Sequence, residues 1–172
     1  MDIAKRLEQE HSLTLTNAII KYIGDDKKRF KVLMDLFFKA EPRVVQRAAW
    51  PMSYVAINNP KLIYPYLDKL IRKLNEPGNH PAIPRNIMRF FEEIEIPEKH
   101  EGPLVDVCFK LIVAAESPIA VKAFAITVAT SICKKYPELK QELRLHLEHM
   151  QNYPMTAAIK VRIKRALKIL NT

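Results

Sequence analysis

Arg43, Arg47, Trp50 and Tyr54 follow one another at i, i+4, i+7 and i+11, which on an α-helix is a single stripe. Arg85 and Arg89 repeat its basic half one turn apart, Glu92 keeps a comparable spacing, and Lys122, Lys160 and Lys164 come further along. Cations at such intervals attract anions, and flat rings between them stack on exposed bases, so a phosphate backbone is one ligand that suits the pattern. The same residues also fit a plainer role, with Trp50 and Tyr54 packed under a neighbouring element and the basic groups solvated or satisfying helix ends. Five cations without an intervening acid mark the last stretch, Lys160, Arg162, Lys164, Arg165 and Lys168. They serve either as an anion-binding surface or as the polar, dipole-matched end of a helical array.

Other chemistries find little support. His146 and His149 share a helix face, with Glu142 one turn back, a beginning of metal-ligand spacing. No further ligand completes it, so the histidines read as solvated and no metal is expected. Glu92, Glu93, Glu95, Glu98 and Glu101 cluster, and such carboxylates at an exposed helix end read as wet surface. Three glycines in the whole chain can hardly build a phosphate-cradling loop. No Ser/His/Asp or Cys/His arrangement stands out, so no catalytic residue and no cofactor is expected.

The elements that position these residues are helices. From Pro42 to Leu74 an apolar face (Val44, Val45, Ala48, Ala49, Met52, Val55, Ala56) is followed by a break at Asn58-Asn59-Pro60 and a second face from Leu62 to Leu74, the 3.6-residue period of buried helices. The pattern predicts further helices over 2–10, 12–23, 27–39, 83–95, 104–115, 119–133, 136–150 and 155–170. A loop spans 75–81, and an acidic, Pro-bounded connector spans Pro97 to Pro103. Most of the twelve prolines sit where helices start or stop, and no segment reads as a strand.

The bulk numbers agree. The chain is long enough for a real core, and 48% apolar with 27% charged residues is ordinary for a soluble protein. A net charge of +9 favours anionic partners or simply serves solubility. Cys108 and Cys133 lie in helical patterns without CxxC spacing and read as buried thiols in a reducing compartment. The start lacks an apolar signal core and no apolar run approaches a membrane span, so a cytoplasmic, membrane-free protein is expected.

The helices also repeat. Val45, Ile83, Val121 and Ile159 stand 38 residues apart, and Asn59-Pro60-Lys61-Leu62 is answered by Tyr136-Pro137-Glu138-Leu139. A period near 38 with two helices per unit indicates a helical solenoid. Pro65 in the first helix of one pair, and Val121-Lys122-x-x-Ala125 and Val45-Gln46-x-x-Ala49 in second helices, resemble the HEAT-repeat (armadillo-like) family. Pro84 stands at the basic position of one unit, and the acidic turn residue is mostly missing. The resemblance, over roughly residues 12 to 170, implies an all-α, right-handed α-α superhelix of about four to five helical hairpins, a single HEAT-like domain over 1–172.

It also implies that second helices (42–57, 83–95, 119–133, 155–170) line a concave surface. The expected binding ridge is then Arg43, Arg47, Trp50, Tyr54, Arg85, Arg89, Lys122, Lys160 and Lys164. The architecture is similar to that of DNA-alkylation-repair HEAT-like proteins, whose glycosylase activity needs a catalytic aspartate beside tryptophans. Here there is one tryptophan, and Tyr54 stands four residues on from it, so that activity is rejected. A non-catalytic scaffold for a protein or peptide partner is the leading expectation, and a nucleic-acid binder using the basic ridge the alternative.

Overall fold

The computed structural model describes residues 1–171. Eleven α-helices run through it: α1 (Ile3–Gln9), α2 (Leu13–Ile23), α3 (Lys27–Lys39), α4 (Pro42–Asn58), α5 (Pro60–Ile63), α6 (Leu67–Leu74), α7 (Ala82–Glu93), α8 (Glu98–Val113), α9 (Ile119–Cys133), α10 (Pro137–Met150) and α11 (Ala157–Leu170). No strand occurs among the described residues. The chain divides into two compact units, Met1–Glu95 and Ile96–Thr172.

In the first unit α4 is the hub, packed against α1, α2, α3, α5 and α7. Its own sequence explains the position, because its apolar face is broad: Val44, Ala48, Ala49, Met52 and Val55 are buried, and so are Pro51 and Ser53 at its edges. Phe30, Phe37, Phe90 and Phe91 fill the largest share of this core, and each fully buried aromatic or aliphatic side chain contributes about 1.5–3 kcal/mol. Local caps fix the entry of the helices that converge on α4. The Ser12 hydroxyl accepts from the Leu15 amide at 3.0 Å, and Asp26 accepts from Lys28 and Arg29 at 2.8 and 3.0 Å, satisfying orphan amides. Gly24 ends α2 with φ of 51°, a conformation that favours glycine. The Asn59 amide, at the break after α4, donates to the Gly24 carbonyl at 2.9 Å.

In the second unit α9 plays the same part, with α8, α10 and α11 packed on it. It is apolar on nearly every face, which fits a helix surrounded by others. Cys108 and Cys133 are buried and free. Burial, and next the neighbouring Cys133, push the Cys108 thiol far up. Burial likewise pushes Cys133 up to about 12, so neither supplies a thiolate near neutral pH. The equally spaced Val45, Ile83, Val121 and Ile159 are all buried, each near the start of its own helix: α4, α7, α9 or α11.

Several boundaries differ from the sequence expectation, and α7 and α8 end two residues before it, at Glu93 and Val113. The connector read over 97–103 is helical from Glu98, with Pro103 inside α8. Pro103 has no amide to give the Lys99 carbonyl, and burial of Leu104, Val105 and Cys108 just after it offsets that loss. The helix read through Pro65 instead tightens into a 3-10 turn over Tyr64–Tyr66, where Tyr66 packs edge-on to Phe30 at 5.9 Å. The last helix starts at Ala157 and not at Met155, because Thr156 is its cap and its hydroxyl accepts from the Ile159 amide at 3.5 Å.

Candidate partner-binding surface

The α4 stripe divides once its neighbours are in place. Arg43 is exposed in the first turn of α4. Arg47 is half-buried, and its Nη1 donates to the carbonyls of Leu7 and Glu8 at 2.8 and 3.0 Å. Those are carbonyls of the last turn of α1, which an ending helix leaves without partners. Arg47 therefore holds α1 in place. Trp50 is half-buried with its ring edge-on to His11 at 5.6 Å. Tyr54 is exposed at 37%.

The packing of α7 on α4 brings the second basic pair to this stripe. The Arg89 guanidinium lies over the Tyr54 ring, 5.4 Å from its centroid, within cation–π range. Its Nη1 donates to Asn86 Oδ1 at 3.1 Å. Asn86 is buried at 5% exposure and donates through Nδ2 to the Ala82 carbonyl at 2.8 Å. The Ser53 hydroxyl, fully buried on α4, shares its proton between the Trp50 carbonyl at 2.8 Å and Asn86 Oδ1 at 3.2 Å. A buried polar chain thus runs from α4 through Ser53 and Asn86 to Arg89, and every link is satisfied. Arg85, one turn earlier on α7, is exposed, and its guanidinium makes no hydrogen bond or ion pair with the described residues. The spacing of the arginines was legible in the sequence, whereas the Ser53–Asn86 link was not singled out. Its signal was a polar residue on each of two otherwise inward-facing stripes.

The second unit holds the other three ridge residues. Lys160 and Lys164 are exposed on α11. Lys122 is half-buried on α9 and lines a cavity. Between those lysines, Arg162 donates to the Thr127 hydroxyl on α9 at 2.6 Å and lies 5.9 Å from the centroid of Phe124, so one cation of the basic terminal helix serves to dock it.

The acidic cluster departs from its reading as wet surface at one residue. Glu101 is buried at 2% exposure, where its carboxylate pairs with the Lys135 ammonium and accepts from the Tyr136 hydroxyl at 2.7 Å. Burial pushes its carboxyl up, but the hydrogen bonds from Lys135 and Tyr136 outweigh that and hold it below its ordinary value. His146 stands 3.9 Å from Glu142, and among the described residues no three His, Cys, Asp or Glu side chains converge on a metal position. No described helix is long and apolar enough to cross a membrane.

A surface of exposed arginines, one held over an aromatic ring, can recognise carboxylates or phosphates and flat groups. Among known families, the model of the HEAT repeat domain matches residues 3–170. No curated protein and no solved structure matches the chain.

Proposed function

The chain belongs to the HEAT repeat domain family, an all-α solenoid class whose repeats generally act as non-catalytic protein-interaction scaffolds, and from that premise we propose that it is a binding scaffold for a protein or peptide partner. The proposed contact surface is the face carrying Arg43, Tyr54, Arg85 and Arg89 in the first unit, with Lys122, Lys160 and Lys164 serving in the second. The observation that carries this reading is the Arg89–Tyr54 pair. Interfaces draw most of their affinity from Arg and aromatic anchors whose geometry is set before binding. Arg89 is set in that way by Asn86 and Ser53. Arg47 and Trp50 support the same surface from behind, through α1 and His11.

Arg43 and Arg85 are the residues to test, because both are exposed and reversing them leaves the α1 cap and the Asn86 link intact. A partner captured from native lysate by the wild type should survive nuclease treatment. Its affinity should fall roughly tenfold or more in Arg43→Glu/Arg85→Glu, with an unchanged circular dichroism spectrum. Capture that disappears with nuclease, together with salt-sensitive binding to duplex or single-stranded DNA, would favour the second reading. In that reading the unpaired Arg43 on α4 and Arg85 on α7, the helices that carry Tyr54 and Arg89, grip a phosphate backbone without glycosylase chemistry.

We further propose that residues 1–172 behave as one domain of repeats in the cytoplasm. The single tryptophan, Trp50, makes the first half of this testable. Its fluorescence reports the unit 1–95, whereas far-ultraviolet dichroism reports every helix. Both should give one coincident denaturant transition, as two-state unfolding requires, and separated midpoints would show independent domains.

A further inference from the structure

The unit 96–172 contains a cavity of about 750 Å³, a size typical of ligand sites. Its walls come from the end of α8 (Ile112, Val113), the start of α9 (Ile119, Lys122), the end of α10 (Met150), the segment after it (Tyr153, Met155) and the first turn of α11 (Ile159). Val113, Ile119 and Tyr153 are 57%, 51% and 59% exposed. Large apolar groups gathered around one concavity, and left that open to water, mark a docking surface. Two methionines make its walls adaptable to the shape of an occupant.

Beside the hydroxyls of Ser117, Tyr153 and Thr156, the groups of the cavity that can carry charge near neutral pH are all basic. Lys122 is half-buried among these apolar groups, and its ammonium makes no hydrogen bond or ion pair with the described residues. The other basic side chains are His146 and His149, the latter edge-on to Tyr153 at 5.2 Å. Among the described residues no carboxylate lines the cavity, and Glu142 faces His146 only from a turn away. An ammonium among apolar walls is stabilised most by an anion that brings its own apolar body.

We propose that this groove is a peptide-docking site, taking a short segment of a partner protein in which a bulky apolar side chain adjoins a carboxylate. The apolar side chain lies between Ile119, Met155 and Ile159, and the carboxylate accepts from Lys122. The proposal rests on the scaffold reading and names a second, separate contact for it.

A phage-displayed library of random seven-residue peptides, selected on the folded chain and counter-selected on Ile119→Asp, supplies the probe. Leu, Phe or Met next to Asp or Glu should dominate the enriched sequences. By fluorescence polarisation, Lys122→Glu should weaken the best such peptide by about tenfold or more, and replacing the peptide's acid with Lys should restore binding to Lys122→Glu alone. Arg43→Glu/Arg85→Glu should leave this peptide's affinity unchanged. No enrichment, enrichment of basic peptides, or binding indifferent to Lys122→Glu would overturn the proposal. So would saturation of the groove by octanoate in place of any peptide, or by a single-stranded oligonucleotide. If the groove variants have no effect while the arginine reversals abolish capture of a partner, the groove fails and the scaffold reading stands. If only the groove variants act, the arginine face fails instead.

Discussion

Removing both donors from Glu101, in Lys135→Met/Tyr136→Phe, is expected to destabilise the 96–172 unit by about 4 kcal/mol at neutral pH, the usual cost of leaving a buried charge without partners. The carboxylate is 2% exposed and cannot recover from water what it loses. Lys135→Met alone should cost less, because the Lys135 side chain is half in solvent and the Tyr136 hydrogen bond remains. Changing the acceptor as well, to Glu101→Gln in the doubly substituted background, should return part of the loss, a coupling that a mutant cycle measures. The pH dependence gives a sharper signature. In the wild type the folded carboxyl lies below its ordinary value of 4.5. Its contribution is therefore complete above that value and lost as pH falls below it through the folded value. Without its donors, burial alone acts and raises the folded value above the unfolded one. The double variant should then gain stability as pH falls towards 4.5 while the wild type does not. Urea midpoints measured from pH 7 to pH 4 decide it, and parallel pH profiles would show that Lys135 and Tyr136 do not govern this carboxylate.

Why this pairing escaped sequence reading is a matter of chain separation. Glu101 and its partners are 34 and 35 residues apart, and nothing in Glu98-Lys99-His100-Glu101 distinguishes a carboxylate that α9 will cover from its solvated neighbours. Arg47 is the same case: its spacing to Trp50 and Tyr54 is written locally, but its fate is decided by two carbonyls in α1, 39 and 40 residues earlier. The groove was invisible for a further reason, since a cavity is the space that several elements leave unfilled and no residue encodes it. What the sequence made legible were properties carried by periodicity. The inward positions of α4, α7, α9 and α11, with Val45, Ile83, Val121 and Ile159 among them, follow from apolar spacing because burial of a helix face needs only that face. Helix starts were legible at Pro42, Asp26 and Pro137, where a proline or a capping side chain stands at the boundary, but not at Thr156, a cap that the pattern read from Met155 passed over. They were misplaced where a proline sits inside a helix, as Pro103 does. There apolar burial of the turns that follow, from Leu104 to Cys108, overrode the local preference.

Phe90→Ala is expected to lower the stability of the 1–95 unit by about 3–5 kcal/mol, the range for emptying a large aromatic site in a close-packed core. Phe90 is fully buried on α7, its ring tilted against Phe91 with 4.5 Å between centroids, and α7 is one of the main helices packed on α4. A cavity there has few ways to collapse, because Phe91 and Met88 on the same helix are buried as well and already committed to neighbours. Phe90→Leu, which keeps most of the volume, should cost much less. The consequence reaches the binding face, since Arg85 and Arg89 ride on the same helix and Asn86 ties it to Ser53. Loosening α7 should free Arg89 from Tyr54 before the unit unfolds globally, so partner affinity should drop even under conditions where Phe90→Ala remains folded. Denaturant unfolding followed by Trp50 fluorescence measures the first effect, and amide exchange across residues 82–93 measures the second. A stability loss below about 1 kcal/mol would mean that Phe90 is not held in a packed core. Unchanged exchange across α7 would mean that core and binding face are not coupled through this helix.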